Sequence, residues 1–246
     1  FRAPMVFEVR DLWPEMPIAI GAIRNPILKW LAKALERYAY RHAKRIIALS
    51  PGMASGVATT GYPEQKITVI PNASDVKRFR DPGVSVEDFY REYPMLRGRK
   101  IVLYAGTLGK LNGVDYLVNV AKEVQKLDSQ VAIAVFGDGA CRDDLVRRAE
   151  QCDVLGENFF LFDPIPKNKI PNAYAASSIC ASLFIDLPEM WKNSANKFFD
   201  SLAANRPVLI NYEGWQREMI DKRGIGIGVP ATDFAEAAMQ IHRAIS

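Results

Sequence analysis

The sequence predicts an α/β chain built on parallel, doubly wound sheets, and three observations carry that prediction. From residue 100 onward, strand-like and helix-like runs alternate about every 25 to 30 residues. Residues 130–136 open with Gln130 and are otherwise apolar, as in a strand covered on both faces. The stretch 193–210 reads as polar loop, helix, turn and buried strand in succession. There Phe198, Phe199, Leu202 and Ala203 share one helical face, and Asn205 tolerates the left-handed backbone that ends a helix. Pro207 prevents continuation, and Val208, Leu209 and Ile210 follow as a short strand.

Composition narrows the function classes. The chain has 246 residues, enough for one large domain or two small ones. Hydrophobic residues make up 49% and charged residues 24%, a soluble globular balance. No apolar run approaches the roughly 20 residues that cross a bilayer, and no secretory signal is visible. A cytoplasmic protein is expected. Because the chain opens at Phe1 inside an α/β pattern, an N-terminally truncated domain or a separate N-terminal partner is also expected. Lys and Arg total 32 against 28 Asp and Glu, a net charge of +4. That mild excess suits phosphorylated ligands or an anionic membrane surface and does not demand nucleic acid. Cys141, Cys152 and Cys180 are odd in number and widely spaced, which argues against disulfides and a zinc site. With only His42 and His242 available, no metal is expected.

Taken in order, residues 4–9 form a strand, and Arg10 and Asp11 stand at its C-terminal end, where ligands gather in open α/β sheets. Two readings of that pair are open: a local ion pair supporting the loop, or direct substrate contact. Residues 27–44 form a helix. Ile27, Leu28, Leu31, Ala34, Leu35 and Tyr38 make its apolar stripe, while Lys29, Lys33, Arg37, Arg41, Lys44 and Arg45 make the other side strongly basic. Such a helix either packs on a core with a solvated basic face or lies on an anionic bilayer, with Trp30 at the interface. Strands at 45–49 and 66–70 follow, separated by a short helix and turns. Residues 81–99, with Pro82, Gly83, Pro94, Gly98 and several charges, read as a linker between a domain at 1–80 and a second at 100–246.

In the second domain, a strand at 101–105 runs into a glycine-rich turn, 106–113, and a helix at 114–126, an arrangement that holds phosphates. Asp138 sits in the turn after the strand at 130–136 and either fixes that turn or faces the cleft. A helix at 142–152, a strand at 158–162, a short helix at 170–176 and a strand at 178–184 lead to the stretch 193–210. Lys197 lies near the start of that helix and Asp200 one to two turns in. Free N–H groups and the positive dipole end suit an anionic phosphate there. A strand at 224–229 and a helix at 232–245 close the chain.

These motifs resemble retaining GT-B glycosyltransferases. Ser194, Lys197, Asp200, Ala203, Pro207 and Val208 fall in register with that family's donor-site segment. The run from Arg10 to Pro14 resembles a signature of one branch; Asp11 matches its Asp, and Arg10 replaces the His many relatives carry. In the glycine turn, Thr107 and Asn112 replace a family Arg and Lys, leaving Lys110 as the loop's cation. Glu218 matches a Glu that ends a family turn. Many relatives also carry two Glu seven positions apart; the second matches Asp200, but the first falls on Lys192.

The resemblance implies a GT-B architecture with a nearly complete C-terminal donor domain and a partial, acceptor-side N-terminal domain. It implies transfer of a sugar from a nucleotide-diphospho-sugar to a glycan or lipid-linked acceptor, with retention and no cofactor. Lys197 and Lys110 would then meet phosphate charge. Gly106, Thr107, Gly109, Ser194, Asn196, Asp200 and Glu218 would bind the donor. Arg10 and Asp11 would face the cleft. Peripheral contact with the inner membrane face would suit a lipid-linked acceptor. Two alternatives stand beside this: a nucleotide-sugar epimerase or hydrolase of the same architecture, which the shortage of His disfavours, and an inert nucleotide-sugar-binding subunit.

Overall fold

The computed structural model describes residues 3–81 and 83–246. They form two compact units. The first takes in residues up to 72 with 187–194 and 213–216; the second holds 73–186, 195–212 and 217–246.

The first unit carries β1 (Val6–Val9), α1 (Glu15–Ala19), α2 (Pro26–His42), β2 (Arg45–Ala48), α3 (Pro51–Thr59) and β3 (Ile67–Val69). Its strands run parallel in the order β1-β2-β3, with Val6 opposite Arg45 and Ile46 opposite Ile67. Local chemistry sets the helix starts. The Asn25 side chain accepts the Ile27 N–H at 2.8 Å, and Pro26 opens α2 with its missing donor where none is needed. Ser50 caps α3 by accepting the Met53 N–H at 3.0 Å, with Pro51 following. Val9, Leu12, Ile46, Met53 and Val57 close the core between sheet and helices.

One of the two readings of α2, packing of its apolar stripe on a core, fails here. The apolar stripe of α2 does not pack against a core: Ile27, Leu28, Leu31, Ala34, Leu35 and Tyr38 are all exposed. The helix turns Ala32, Glu36 and Tyr40 inward instead. Periodicity identified the helix but not which face the sheet covers.

The second unit carries α4 (Val76–Phe79), α5 (Val86–Glu92), β4 (Lys100–Ala105), α6 (Asp115–Leu127), β5 (Val131–Phe136), α7 (Arg142–Gln151), β6 (Phe159–Phe162), α8 (Ile170–Ala176), β7 (Ile179–Ser182), α9 (Asn196–Ala203), β8 (Val208–Ile210), α10 (Trp215–Arg223), β9 (Gly226–Gly228) and α11 (Phe234–Ile245). Its strands are all parallel, in the order β6-β5-β4-β7-β8-β9. The chain winds outward from β4 to β6, returns, and winds the other way from β7. That reversal leaves a crevice at the C-terminal ends of β4 and β7, the topological switch point. Both faces are buried. Along β5, Val131, Ile133 and Val135 join the core beneath α6, while Ala132, Ala134 and Phe136 join the opposite core. Burial on two sides is what makes this strand uniformly apolar.

The stretch read as a linker is part of this unit. Phe89 on α5 and Leu96 are buried in the same core as Phe136 and Tyr174. Its prolines, glycines and charges masked two core anchors. Asn205, by contrast, stops α9 in the left-handed conformation its side chain suggested, at φ +55°.

Glu36 supplies a test of the first unit. Burial, reinforced by the nearby charge of Glu15, raises its carboxyl from 4.5 to about 7, and Tyr40 hydrogen-bonds it. A raised folded-state pKa means stability present at low pH and lost as pH rises through the folded value. Wild type should therefore lose thermal stability between pH 5 and pH 8. In Glu36→Gln, which keeps the shape without the charge, that loss should shrink by about 2–4 °C, the change that roughly 1 kcal/mol makes in a protein of this size once solvent screening is allowed for. Equal losses in both proteins, read by calorimetry, would show that Glu36 does not ionise in this range.

Candidate functional site

The site is built beside the switch point, where two glycine turns meet. The turn after β4 and the turn after β5 are stitched together by backbone bonds. Gly106 N–H donates to the Phe136 carbonyl at 2.9 Å, Leu108 N–H to the Asp138 carbonyl at 2.9 Å, and Cys141 N–H to the Leu108 carbonyl at 2.9 Å. The approach is close enough to demand glycine. A Cβ on Gly137 would fall on the Gly106 carbonyl oxygen, and one on Gly139 would lie 2.6 Å from the Leu108 carbonyl oxygen. Asp138 fixes its own turn, accepting the Gly139 N–H at 2.8 Å. Gly113 ends the first turn at φ +55°, where a Cβ would meet the Phe184 carbonyl carbon at 3.1 Å. Ile185 N–H then donates to the Leu111 carbonyl at 3.1 Å, tying this loop to the chain after β7.

Lys197, on the first turn of α9, lies directly over Gly106. A Cβ there would strike the lysine's Cε and come within 2.9 Å of its Nζ. The ammonium also sits 5.0 Å from the centroid of the Tyr104 ring, whose hydroxyl donates to the Thr107 carbonyl at 2.8 Å. Tyr104 thus holds the glycine turn from below and gives the cation an aromatic face. Burial depresses the Lys197 pKa below the usual lysine range, partly offset by the negative charge of Asp200. Burial raises the Tyr104 phenol, so it stays a neutral donor. Asp200 accepts the Ser74 hydroxyl on Oδ1 at 2.6 Å. Ala195 precedes α9 and offers no side-chain cap; the Phe198 N–H donates to the Ala195 carbonyl at 3.2 Å, so the N–H groups of Asn196 and Lys197 are the ones that can meet an anion.

Gly106 and Thr107 also line a cavity of about 270 Å³ with Phe136, Gly137, Asp138 and Ile165, at the ends of β4 and β5. Arg142 braces that region, donating to the carbonyls of Gly137 at 2.7 Å and Phe162 at 3.2 Å and pairing with Asp163 at 3.0 Å.

Of the residues singled out from sequence, the structure brings Gly106, Thr107, Lys197 and Asp200 into one neighbourhood. Gly109 precedes a 3₁₀ turn at Lys110–Asn112; Lys110 is exposed there, as is Asn196 at the start of α9. Glu218 is exposed on α10 and pairs with Lys222 at 3.4 Å. Ser194 belongs to the first unit, where it is buried: its hydroxyl accepts the Asn72 N–H at 3.2 Å, and its carbonyl accepts the Asn72 side-chain amide at 2.6 Å. Arg10 pairs with Glu8 at 3.9 Å rather than with Asp11. Both Arg10 and Asp11 line a cavity of about 500 Å³ in the first unit, with Trp13, Glu36 and Tyr40. Sequence reasoning missed Tyr104 and Ser74. A lone Tyr in an otherwise apolar strand was the available signal for the first, since a buried phenol needs a partner.

A fully parallel sheet wound in this order, with glycine turns and a half-buried cation beside its switch point, defines a Rossmann-like α/β domain of the GT-B type. The chain belongs to the glycosyl transferases group 1 family, whose model matches residues 99–246; a glycosyl transferase 4-like domain matches residues 1–73. Among curated proteins it is 23% identical over 234 residues to the probable glycosyltransferase WbjE of Pseudomonas aeruginosa, covering 93% of this chain and 56% of that one. It is 24% identical over 250 residues to the alpha-D-kanosaminyltransferase of Streptomyces kanamyceticus, covering 98% and 61%. The chain thus spans little more than half the length of these relatives. Among solved structures, Anabaena Alr3699/HepE in complex with UDP-glucose superimposes with a TM-score of 0.74 at 17% identity, over 100% of this chain and 63% of that one. WaaG, a glycosyltransferase involved in lipopolysaccharide biosynthesis, gives a TM-score of 0.74 at 14% identity, over 98% and 66%.

The interlocked turns yield a direct prediction. Gly137→Ala should cost about 2 kcal/mol, the usual scale of overpacking, because the atom it meets is backbone that cannot step aside. Thermal unfolding should register a drop of several degrees. An unchanged melting temperature would show that the two turns separate freely.

Proposed function

We propose that this chain carries the donor side of a glycosyltransferase that moves a sugar from a nucleotide-diphospho-sugar to a glycan or lipid-linked acceptor, with retention of anomeric configuration. The single observation that carries the reading is the Lys197 ammonium held over Gly106 at the switch point. A diphosphate there would lie between the turn at 106–113 and the N-terminus of α9. As the sugar–phosphate bond breaks, the electron pair stays on the departing phosphate oxygen. Lys197, the open N–H groups of α9 and exposed Lys110 are the groups that would meet this charge. A partly desolvated ammonium gains more from an arriving anion than a hydrated one, and the anion in turn favours the protonated lysine.

Asp200 suits the ribose. Ser74 occupies one carboxylate oxygen and holds the side chain still, leaving the second oxygen to accept hydroxyl hydrogen bonds. The cavity beside Gly106 and Thr107, braced by Arg142, has the setting for the nucleoside. Alr3699/HepE binds UDP-glucose, which makes UDP the first nucleotide to try. Relatives also support a place in polysaccharide assembly, since WcaI of Escherichia coli is a putative colanic acid biosynthesis glycosyl transferase. The first unit, with Arg10 and Asp11 at its cavity, is assigned the acceptor side. Among the described residues no helix is long and apolar enough to cross a membrane. An anionic lipid surface is proposed as a peripheral partner through the basic side chains of α2.

Lys197→Ala should lower turnover of a nucleotide sugar roughly a hundredfold, the general scale for removing one such electrostatic group. Asp200→Asn should act mainly on binding, weakening UDP in a calorimetric titration while the fold is retained. Wild-type affinity in Asp200→Asn together with full activity in Lys197→Ala would place the donor elsewhere.

A further inference from the structure

The turn after β4 sorts its backbone groups by charge. From Thr107 to Leu111 every carbonyl is engaged within the unit. The Leu108 carbonyl accepts the Cys141 N–H at 2.9 Å, Gly109 the Asn112 N–H at 3.0 Å, Lys110 the Gly113 N–H at 3.3 Å and Leu111 the Ile185 N–H at 3.1 Å. Thr107 is the exception, since its carbonyl accepts a side-chain donor, the Tyr104 hydroxyl, at 2.8 Å. The N–H groups do the opposite. Those of Thr107, Gly109, Lys110 and Leu111 have no acceptor among the described residues. The turn therefore ties its acceptors down and leaves donors free, the condition for holding an anion on backbone.

Tyr104 enforces part of this sorting from inside the core, where it is fully buried. The Thr107 carbonyl and the Leu108 N–H are the two ends of one rigid peptide plane. Leu108 N–H donates to the Asp138 carbonyl at 2.9 Å, so Asp138 and the Tyr104 hydroxyl pin that plane from both ends. Without the hydroxyl, the Thr107 carbonyl would lose its partner and could regain one only by turning towards water. Turned outward, its partial negative charge would oppose an arriving phosphate oxygen. The Tyr104 ring also lies 5.0 Å from the Lys197 ammonium, so one side chain sets both the turn and the cation.

We propose that Tyr104 is a positioning residue for the donor's diphosphate. Its hydroxyl keeps the Thr107 carbonyl out of the site, so that the free N–H groups of the turn and the Lys197 ammonium act on the same anion. Tyr104 works through the turn and does not itself touch the nucleotide. The inference rests on the donor reading above and adds a residue which that reading does not use.

The test uses the whole 246-residue chain. Calorimetric titrations with UDP, GDP and ADP, and with their nucleosides, first find the base that wild type binds most tightly. Tyr104→Phe removes the hydroxyl and keeps the ring beside Lys197. Its affinity for that nucleoside diphosphate should fall about tenfold, on the scale of one buried polar group losing its partner. Its affinity for the nucleoside alone should stay at the wild-type value. A change that only loosened the fold would weaken both together. In wild type, NMR titration with the same diphosphate should move the amide signals of Thr107, Gly109, Lys110 and Leu111, a result that does not depend on how well the variant folds. Equal diphosphate affinity in wild type and Tyr104→Phe overturns the proposal. So do parallel losses for diphosphate and nucleoside, or amide signals in the turn that stay still. Lys197→Ala separates this question from the donor reading. If it weakens the diphosphate while Tyr104→Phe does not, only the role of Tyr104 falls. If neither variant changes binding, or if wild type binds none of the three diphosphates, the donor reading falls with it.

Discussion

Backbone laid on backbone at the end of β4 and β5 is the contact on which the second unit's architecture rests. Two parallel strands can deliver their turns to one point only if the turns carry no side chains there. Gly137 meets the Gly106 carbonyl, Gly139 meets Leu108, and Gly113 meets the chain leaving β7. Any Cβ at Gly137 would push the first turn off its partner. The stitched turns then form a rigid floor beside the point where strand order reverses, and N–H groups from a following helix can be aimed at it.

Desolvation explains why a lysine sits on that floor. Lys197 is held against the Tyr104 ring and the Gly106 backbone, where water can solvate it only in part. The cost shows in its depressed pKa, and Asp200 relieves part of it. A cation kept in that condition is preorganised for an anion: little solvent needs to rearrange when one arrives. Ser74 does a parallel service for Asp200 by fixing one carboxylate oxygen.

Much of this was legible in the sequence because it follows from local chemistry. Pro207 and the left-handed Asn205 marked the end of α9, the apolar run at 131–136 marked a doubly covered strand, and the glycines from 106 to 113 marked a turn between strand and helix. What was not legible depends on partners far away in the chain. Ser194 matched the donor motif by spacing, but the partner of its hydrogen bonds, Asn72, lies 122 positions away. Phe89 and Leu96 lie in the stretch read as a linker, and their core neighbours Phe136 and Tyr174 are far along the chain. For α2, periodicity revealed two faces but not which would be covered, because that depends on where β1 and β2 lie. Tyr104 as a platform for Lys197 joins residues 93 positions apart, beyond the reach of any local pattern.

The central claim is that the Gly106 turn and the start of α9 together cradle a diphosphate. A crystal structure of this chain with UDP tests it most directly. The account predicts phosphate oxygens within hydrogen-bonding distance of Lys197 Nζ and of main-chain N–H groups in the 106–113 turn, with the ribose hydroxyls on Asp200. Nucleotide bound at another strand edge, with Lys197 still lying undisturbed against Tyr104, would contradict it.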